Sequence, residues 1–143
     1  MILTLDLPFP ISANDMLAYS RKSGPRRSEA YAKYRRDTAW SAIAQAKRRK
    51  IIGDYRMLIE AVPRASGSRL DIDNAIKPLS DALQESGVIQ NDSLAVEIRI
   101  VWSQHQTEPG VRVTLVEAEY RLPSIPNLDN LFPNAPTLCA DGS

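Results

Sequence analysis

The sequence predicts an α+β (mixed α/β) domain in which two helices accompany a four-stranded mixed sheet, in the order βαβαββ. Two observations support this prediction. Four segments alternate apolar and polar residues with the period of a β-strand, and two longer segments repeat apolar residues at helical spacing. The chain of 143 residues is long enough for one hydrophobic core but not for two, so we expect all of these elements in one domain.

The first three elements occupy the N-terminal half of the chain. Residues 2–7 (ILTLDL) alternate as a strand does, and two prolines follow within three residues. An irregular loop leads to Ser28, a favourable N-cap, and we expect a helix over 29–50 whose last turn is the basic run KRRK. A second strand is expected over 54–63. The buried face of the helix is predicted to hold Tyr31, Tyr34, Thr38, Ala42, Ile43 and Ala46.

A second helix and two strands complete the predicted order. Asp73 or Asn74 can cap the helix, and Gly87 supplies a left-handed residue at its C-terminus. The segments 93–102 and 111–120 alternate strongly, and the eight residues between them predict an antiparallel hairpin. The buried face of the second helix is predicted to hold Ile76, Leu79, Ala82 and Leu83.

Composition limits the class and the compartment. No apolar run approaches the roughly 20 residues that a bilayer span needs, and the N-terminus lacks the basic region of a signal peptide. Cys139 is the only cysteine, so an internal disulfide is excluded and we expect a cytoplasmic protein with no membrane partner. Pro and Asn become frequent after residue 122, which predicts a domain over 1–122 and an extended tail over 123–143.

Basic residues are concentrated in one segment. Residues 20–50 hold eleven Lys or Arg and two acids, a balance of +9, although the whole chain has a net charge of only +1. Clustered cations favour a polyanionic partner, because they neutralise phosphates and release counterions. A solvated helix face is the alternative, and charge alone does not decide between the two. Arg35 and Arg36 favour a ligand, because the dipole near the start of a helix does not stabilise a cation.

Three aspartates lie at the ends of predicted elements. Asp71 and Asp73 are two residues apart in an extended segment and so point to the same side, and Asp92 follows the second helix. Carboxylates of this kind suit Mg²⁺, which prefers oxygen ligands, and Lys77 lies one helical turn beyond Asp73. The alternative is that Asp73 caps the helix, Asp71 braces a turn and Asp92 begins a strand. Spacing alone leaves both interpretations open.

Other sites with known sequence patterns are excluded. An EF-hand loop that began at Asp71 would need Gly at its sixth position and Glu at its twelfth, where this chain has Ile76 and Ala82. No glycine-rich phosphate loop is present. His105 is the single histidine, so a zinc site and a Ser-His triad lack components, and Cys139 has no base near it in the sequence.

The stretch LDIDNAIKPLSDAL, followed by GVIQND, resembles the signature of the RusA-like Holliday junction resolvases. That family carries an acid-x-acid-Asn element, a lysine one helical turn later, a DAL helix, and a glycine that leads to one or two aspartates. The resemblance is dense over 69–92 and looser over the rest of the core. One departure is Asn91, which stands where family members often have a second aspartate and which offers an oxygen without a charge.

The resemblance implies a homodimeric, Mg²⁺-dependent endonuclease, with Mn²⁺ able to substitute, that resolves four-way DNA junctions by paired symmetric nicks in recombination and repair. It also implies a bacterial or phage-encoded protein. By the same resemblance Asp71, Asp73 and Asp92 would be catalytic metal ligands, and Lys77 would be a further catalytic residue that binds the scissile phosphate. The residues expected to bind DNA are Arg26, Arg27, Arg35, Arg36, Arg69 and Lys77.

Two other functions stay open. A catalytically inactive junction-binding protein on the same scaffold would keep the basic segment, but the intact acid set argues against it. A module that binds a protein partner through NLDNLF in the tail would use Leu128, Leu131 and Phe132 as groove anchors.

Overall fold

The computed structural model describes residues 1–20, 24–62, 71–103 and 108–118. Arg69, His105, Cys139 and the predicted tail over 123–143 lie outside the described residues. Within the described part, no helix is long and apolar enough to cross a bilayer. The elements are β1 (Ile2–Leu7), β2 (Leu17–Ser20), β3 (Gly24–Arg27), α1 (Glu29–Ala46), β4 (Tyr55–Val62), α2 (Ile76–Ser86), β5 (Ala95–Trp102) and β6 (Gly110–Glu117).

Strands β1, β6, β4 and β5 form one mixed sheet in that order, which confirms the predicted four-stranded sheet with two helices. β6 is antiparallel to both β1 and β4, and β5 is parallel to β4 at the edge. The predicted hairpin between the last two strands is therefore wrong, because β4 lies between them. The burial of the strands agrees with their order in the sheet. β6 buries Val111, Val113 and Leu115, whereas edge strand β5 leaves Ile98 and Val101 exposed.

Helix α1 begins as predicted but ends earlier. The backbone N–H of Tyr31 donates to Ser28 Oγ at 3.1 Å, which confirms the N-cap. The helix ends at Ala46, not at residue 50, because Lys47 and Arg48 take left-handed backbone conformations with φ of 50° and 67°. The run KRRK therefore follows the helix and does not form its last turn. The predicted face is buried except for Ile43, which is 46% exposed.

A short 3-10 turn, Ile72–Ala75, precedes α2 and changes its start. This turn takes up both residues that were predicted as caps, so the residue at the helix boundary is Ala75 and no side-chain cap is formed. The predicted cap by Asp73 or Asn74 is therefore wrong. Gly87 ends the helix in the left-handed region with φ of 75°, as predicted.

One hydrophobic core joins the helices to one face of the sheet. Alternate residues of β1, β4 and β6 meet the buried faces of α1 and α2, and α1 packs against α2. Burial of this area is the main stabilising contribution to the fold, and it fixes α2 relative to the sheet. The core includes Leu3, Leu5, Met57, Ile59, Ala42, Leu79, Leu83, Val113 and Leu115.

A small antiparallel hairpin, β2–β3, lies where the sequence predicted an irregular loop. Its base is tied to the start of α1, because Ser28 N donates to Met16 O at 2.9 Å and Ser28 Oγ donates to Asp15 O at 2.6 Å. The same serine therefore caps α1 and anchors the hairpin. This anchoring brings Arg27 of β3 next to the first turn of α1.

Candidate active site

Asp71 and Asp73 present exposed carboxylates at the turn before α2. Asp71 begins the 3-10 turn and uses only its backbone oxygen, which accepts from Asn74 N at 3.0 Å. Among the described residues, neither carboxylate forms a hydrogen bond or an ion pair. The interpretation that these side chains only cap and brace the backbone is therefore not supported. Within the described part of the chain, both carboxylates are therefore open to a ligand.

Asp92 lies in a second 3-10 turn, Asp92–Leu94, between α2 and β5. Its backbone N–H donates to Gln84 Oε1 at 3.0 Å, which ties this turn to α2. Lys77 Nζ donates to Asp92 Oδ2 at 2.8 Å. The hydrogen bond from Lys77 holds the pKa of Asp92 below its ordinary value, despite an opposing contribution from burial. Asp92 is therefore ionised and paired with a cation.

Lys77 also binds an acid that the sequence analysis did not select. Its Nζ donates to Asp81 Oδ1 at 2.6 Å, so the ammonium lies between Asp81 and Asp92. These hydrogen bonds, the one from Asp81 first, raise the pKa of Lys77 above its ordinary value. Asp81 is the aspartate of the DAL stretch and lies four residues after Lys77, one helical turn further along the same face, but this spacing alone does not mark an acid as part of a site.

Tyr31 of α1 completes this group of side chains. Its hydroxyl donates to Asp81 Oδ2 at 2.5 Å, and the residue is fully buried. Burial, followed by the hydrogen bond to Asp81, raises the pKa of Tyr31 to about 12. The guanidinium carbons of Arg27 and Arg35 each lie 5.5 Å from the centroid of the Tyr31 ring. Two cations are therefore held within contact distance of the same ring.

The predicted DNA-binding residues do not all lie at this site. Arg27 and Arg35 adjoin Asp81 and line an open cleft, where Arg35 is paired with Glu85. Arg26 is exposed on the hairpin, and Arg36 is exposed on α1 with its Nε 3.7 Å from Asp37. The cleft is lined by Arg27, Arg35, Asp81, Gln84 and Glu85.

Asn91 has a structural function. Its Oδ1 accepts from Ser93 N at 2.9 Å and caps the 3-10 turn that begins with Asp92. An aspartate at this position would accept the same hydrogen bond, so the family's usual residue would cap the turn equally well. The departure from the family pattern therefore removes a charge but keeps the turn that positions Asp92.

The acids fit a hard divalent cation by donor chemistry. Asp71, Asp73 and Asp92 offer carboxylate oxygens only, as Mg²⁺ prefers, and two of them have no partner in the described part of the chain. They are not a preassembled cluster: among the residues described, no group of three or more acidic, His or Cys side chains is placed to hold a metal ion. Asp92 already forms an ion pair with Lys77, so as a metal ligand it would have to contact both the ammonium and the metal ion.

A comparison with known families covers most of this structure. A family model described as Endodeoxyribonuclease RusA matches residues 8–116, which is more than half of the chain. No curated protein matches the chain. The matched range contains both helices, the hairpin, and every side chain placed above at the candidate site.

Proposed function

Because the chain belongs to the RusA endodeoxyribonuclease family, we propose that it resolves four-way DNA junctions by paired, symmetric nicks in a Mg²⁺-dependent reaction. One observation supports this proposal most. Lys77 is held between two acids at the start of α2, and the turn that directly precedes this helix carries two exposed carboxylates that have no partner in the described residues. An anionic substrate and a cation can both be accommodated by such a group.

Each side chain has a defined task in the proposed reaction. Arg27 and Arg35 neutralise the phosphates of the bound strand, and the Lys77 ammonium stabilises the charge of the scissile phosphate. Asp92 is ionised at neutral pH, as aspartates ordinarily are, and the hydrogen bond from Lys77 lowers its pKa further so that it keeps its charge in more acidic solution. Mg²⁺, held by Asp71, Asp73 and Asp92, would supply an activated water and neutralise the developing charge, and Mn²⁺ has the same oxygen preference.

We propose that the active species is a homodimer. Paired nicks on opposing strands need two sites, whereas one protomer has a single set of these acids, and two-fold symmetry would supply the second set. Sedimentation velocity at the concentration used for cleavage tests this point. A monomer that nonetheless makes paired nicks would contradict it.

The two other functions have less support. An inactive junction-binding protein would gain nothing from exposed carboxylates close to a phosphate, because they repel the ligand. The protein partner of the tail stays a prediction, because Leu128, Leu131 and Phe132 lie outside the described residues. A deletion of 123–143 that keeps cleavage but loses binding to a partner protein would favour it.

The proposed function is tested with three DNA substrates of matched length and sequence: a four-way junction, a Y-fork and a plain duplex. Each is incubated with the protein in Mg²⁺ and in EDTA. We expect cleavage of the junction in Mg²⁺ only, with little cleavage of the duplex. Equal cleavage of duplex and junction would contradict junction specificity, and cleavage in EDTA would contradict metal dependence.

A further inference from the structure

Asp81 divides its two oxygens between two donors. Oδ1 accepts from Lys77 on the same helix, and Oδ2 accepts from Tyr31 on α1. The Asp81 side chain is only 17% exposed, whereas that of Lys77 is 57% exposed. The carboxylate is therefore fixed from two sides, whereas the lysine is a long side chain that depends on its partners for its position.

Tyr31, the second donor to Asp81, is held in place by its burial. Tyr31 is fully buried in the first turn of α1, and its ring has Arg27 and Arg35 beside it. Its pKa of about 12 keeps the hydroxyl protonated, so it remains a donor to Asp81 at neutral pH. α1 packs along α2, so this hydrogen bond joins the two helices at the site.

Lys77 has two anionic partners with different functions. Asp92 is a candidate ligand of the divalent cation, and a carboxylate that binds a dication holds an ammonium less strongly. Asp81 lies on the far side of the ammonium, with its second oxygen occupied by Tyr31, and has no such function in the proposed site. Asp81 is therefore the partner that remains for Lys77 when Asp92 is engaged elsewhere.

We propose that Asp81 is a positioning residue that holds the Lys77 ammonium toward the phosphate when Asp92 binds the cation, and that Tyr31 fixes Asp81 for this task. This inference rests on the proposed nuclease function. It assigns no chemistry to Asp81 itself, since both of its oxygens accept hydrogen bonds from protein donors.

A double-mutant cycle tests whether Asp81 acts through Lys77. Asp81→Asn is made in the wild type and in Lys77→Met, and single-turnover cleavage of the junction is measured together with junction affinity in EDTA and melting temperature. We expect Asp81→Asn to slow cleavage about tenfold or more in the wild type, with junction affinity almost unchanged, and to cause no further loss in Lys77→Met. Tyr31→Phe should give a smaller loss that disappears in the Asp81→Asn background.

Asp37→Asn is the matched control, because it breaks the Lys33–Asp37 pair of the same four-residue spacing on α1. It should leave the cleavage rate unchanged. Losses that multiply in the Lys77→Met background, or a wild-type rate in Asp81→Asn, would overturn the inference. A lower melting temperature with additive losses would assign Asp81 to helix packing alone, which also overturns it.

A readout without metal or DNA separates this inference from the proposed function. The Lys77 ammonium signal in the NMR spectrum, assigned by its loss in Lys77→Met, should shift and exchange faster with water in Asp81→Asn. The same signal should change less in Tyr31→Phe. An unchanged signal would overturn the inference even if the wild type resolves junctions, whereas failure of the wild type to cleave would count against the proposed function only.

Discussion

Replacing Lys77 with Met should strengthen binding of the divalent cation while it weakens cleavage. The substitution keeps the length and the apolar stem of the side chain but removes the ammonium that lies between Asp81 and Asp92. Lys77 Nζ is 2.6 Å from Asp81 Oδ1 and 2.8 Å from Asp92 Oδ2, so these two oxygens are no more than about 5.4 Å apart. Without the ammonium, these negative charges face each other across that gap.

The magnitude follows from Coulomb's law in water, the proper limit because the Lys77 side chain is 57% exposed. Removal of a unit positive charge about 5 Å from a dication changes its binding free energy by about 1–2 kcal/mol, or roughly 5- to 30-fold in affinity. Loss of a preorganised cation beside the scissile phosphate should lower the single-turnover rate by about 10²-fold or more.

Isothermal titration of the protein with Mg²⁺ or Mn²⁺ measures the first effect, and cleavage of a labelled junction at saturating metal measures the second. Lys33→Met is the matched control, because Lys33 forms an ion pair with Asp37 at the same four-residue spacing on α1. The control should change neither quantity. Unchanged or weaker metal binding in Lys77→Met, together with retained cleavage, would refute the assignment of Lys77 and Asp92 to one site.

Three further predictions concern the acids and the basic segment. Asp71→Asn should reduce cleavage by about 10²-fold or more and should leave both the melting temperature and junction binding in EDTA unchanged. The control is Asp6→Asn, because Asp6 lies on β1 at the opposite edge of the sheet from β5. An Asp71→Asn variant that is destabilised but still active would contradict the metal assignment. Lys77→Met should raise the pKa of Asp92 toward the ordinary range of an aspartate in a ¹³C NMR titration, because the hydrogen bond from Lys77 is the main cause of the lowered value. In the wild type, the stability that this pair adds is present at neutral pH and is lost as pH falls through the lowered pKa of Asp92. An unchanged pKa in Lys77→Met would contradict the cause assigned here. Alanine at four arginines should lower junction affinity and should flatten its salt dependence by about 0.9 in slope for each lost phosphate contact. Alanine at all four residues of KRRK should lower the affinity and the slope less. Equal effects of the two variants would contradict the placement of the DNA path. The four arginines are Arg26, Arg27, Arg35 and Arg36.

Local signals in the sequence predicted the local structure well. Ser28 caps α1 and Gly87 ends α2 because each residue type favours one backbone conformation at a helix end. The pairing of β5 with β4 was not predictable in this way. Alternation with period two indicates which face of a strand is buried, but it does not identify the neighbouring strand. The seven residues between Trp102 and Gly110 can equally join two strands that lie on either side of a third, as β5 and β6 lie on either side of β4.

Only part of the candidate site was predictable from the sequence, for a similar reason. The acids and Lys77 lie within one short stretch of sequence, so a motif can contain them all. Asp81 has the same spacing from Lys77 that Asp37 has from Lys33, and spacing alone does not separate a surface pair from a functional one. Tyr31 is fifty residues away from Asp81 in the sequence, and the fold places its buried hydroxyl within hydrogen-bond distance of Asp81. This hydrogen bond distinguishes the Lys77–Asp81 pair from the Lys33–Asp37 pair.

The most direct test of the central claim uses a supercoiled plasmid that extrudes a cruciform, which presents one four-way junction on otherwise intact duplex. Paired symmetric nicks at that junction convert the plasmid to linear DNA, whereas a single nick gives an open circle. With Mg²⁺ the wild-type protein should give the linear product, and with EDTA it should give none. Open circles alone, or linear product in EDTA, would contradict a metal-dependent resolvase that acts as a symmetric pair.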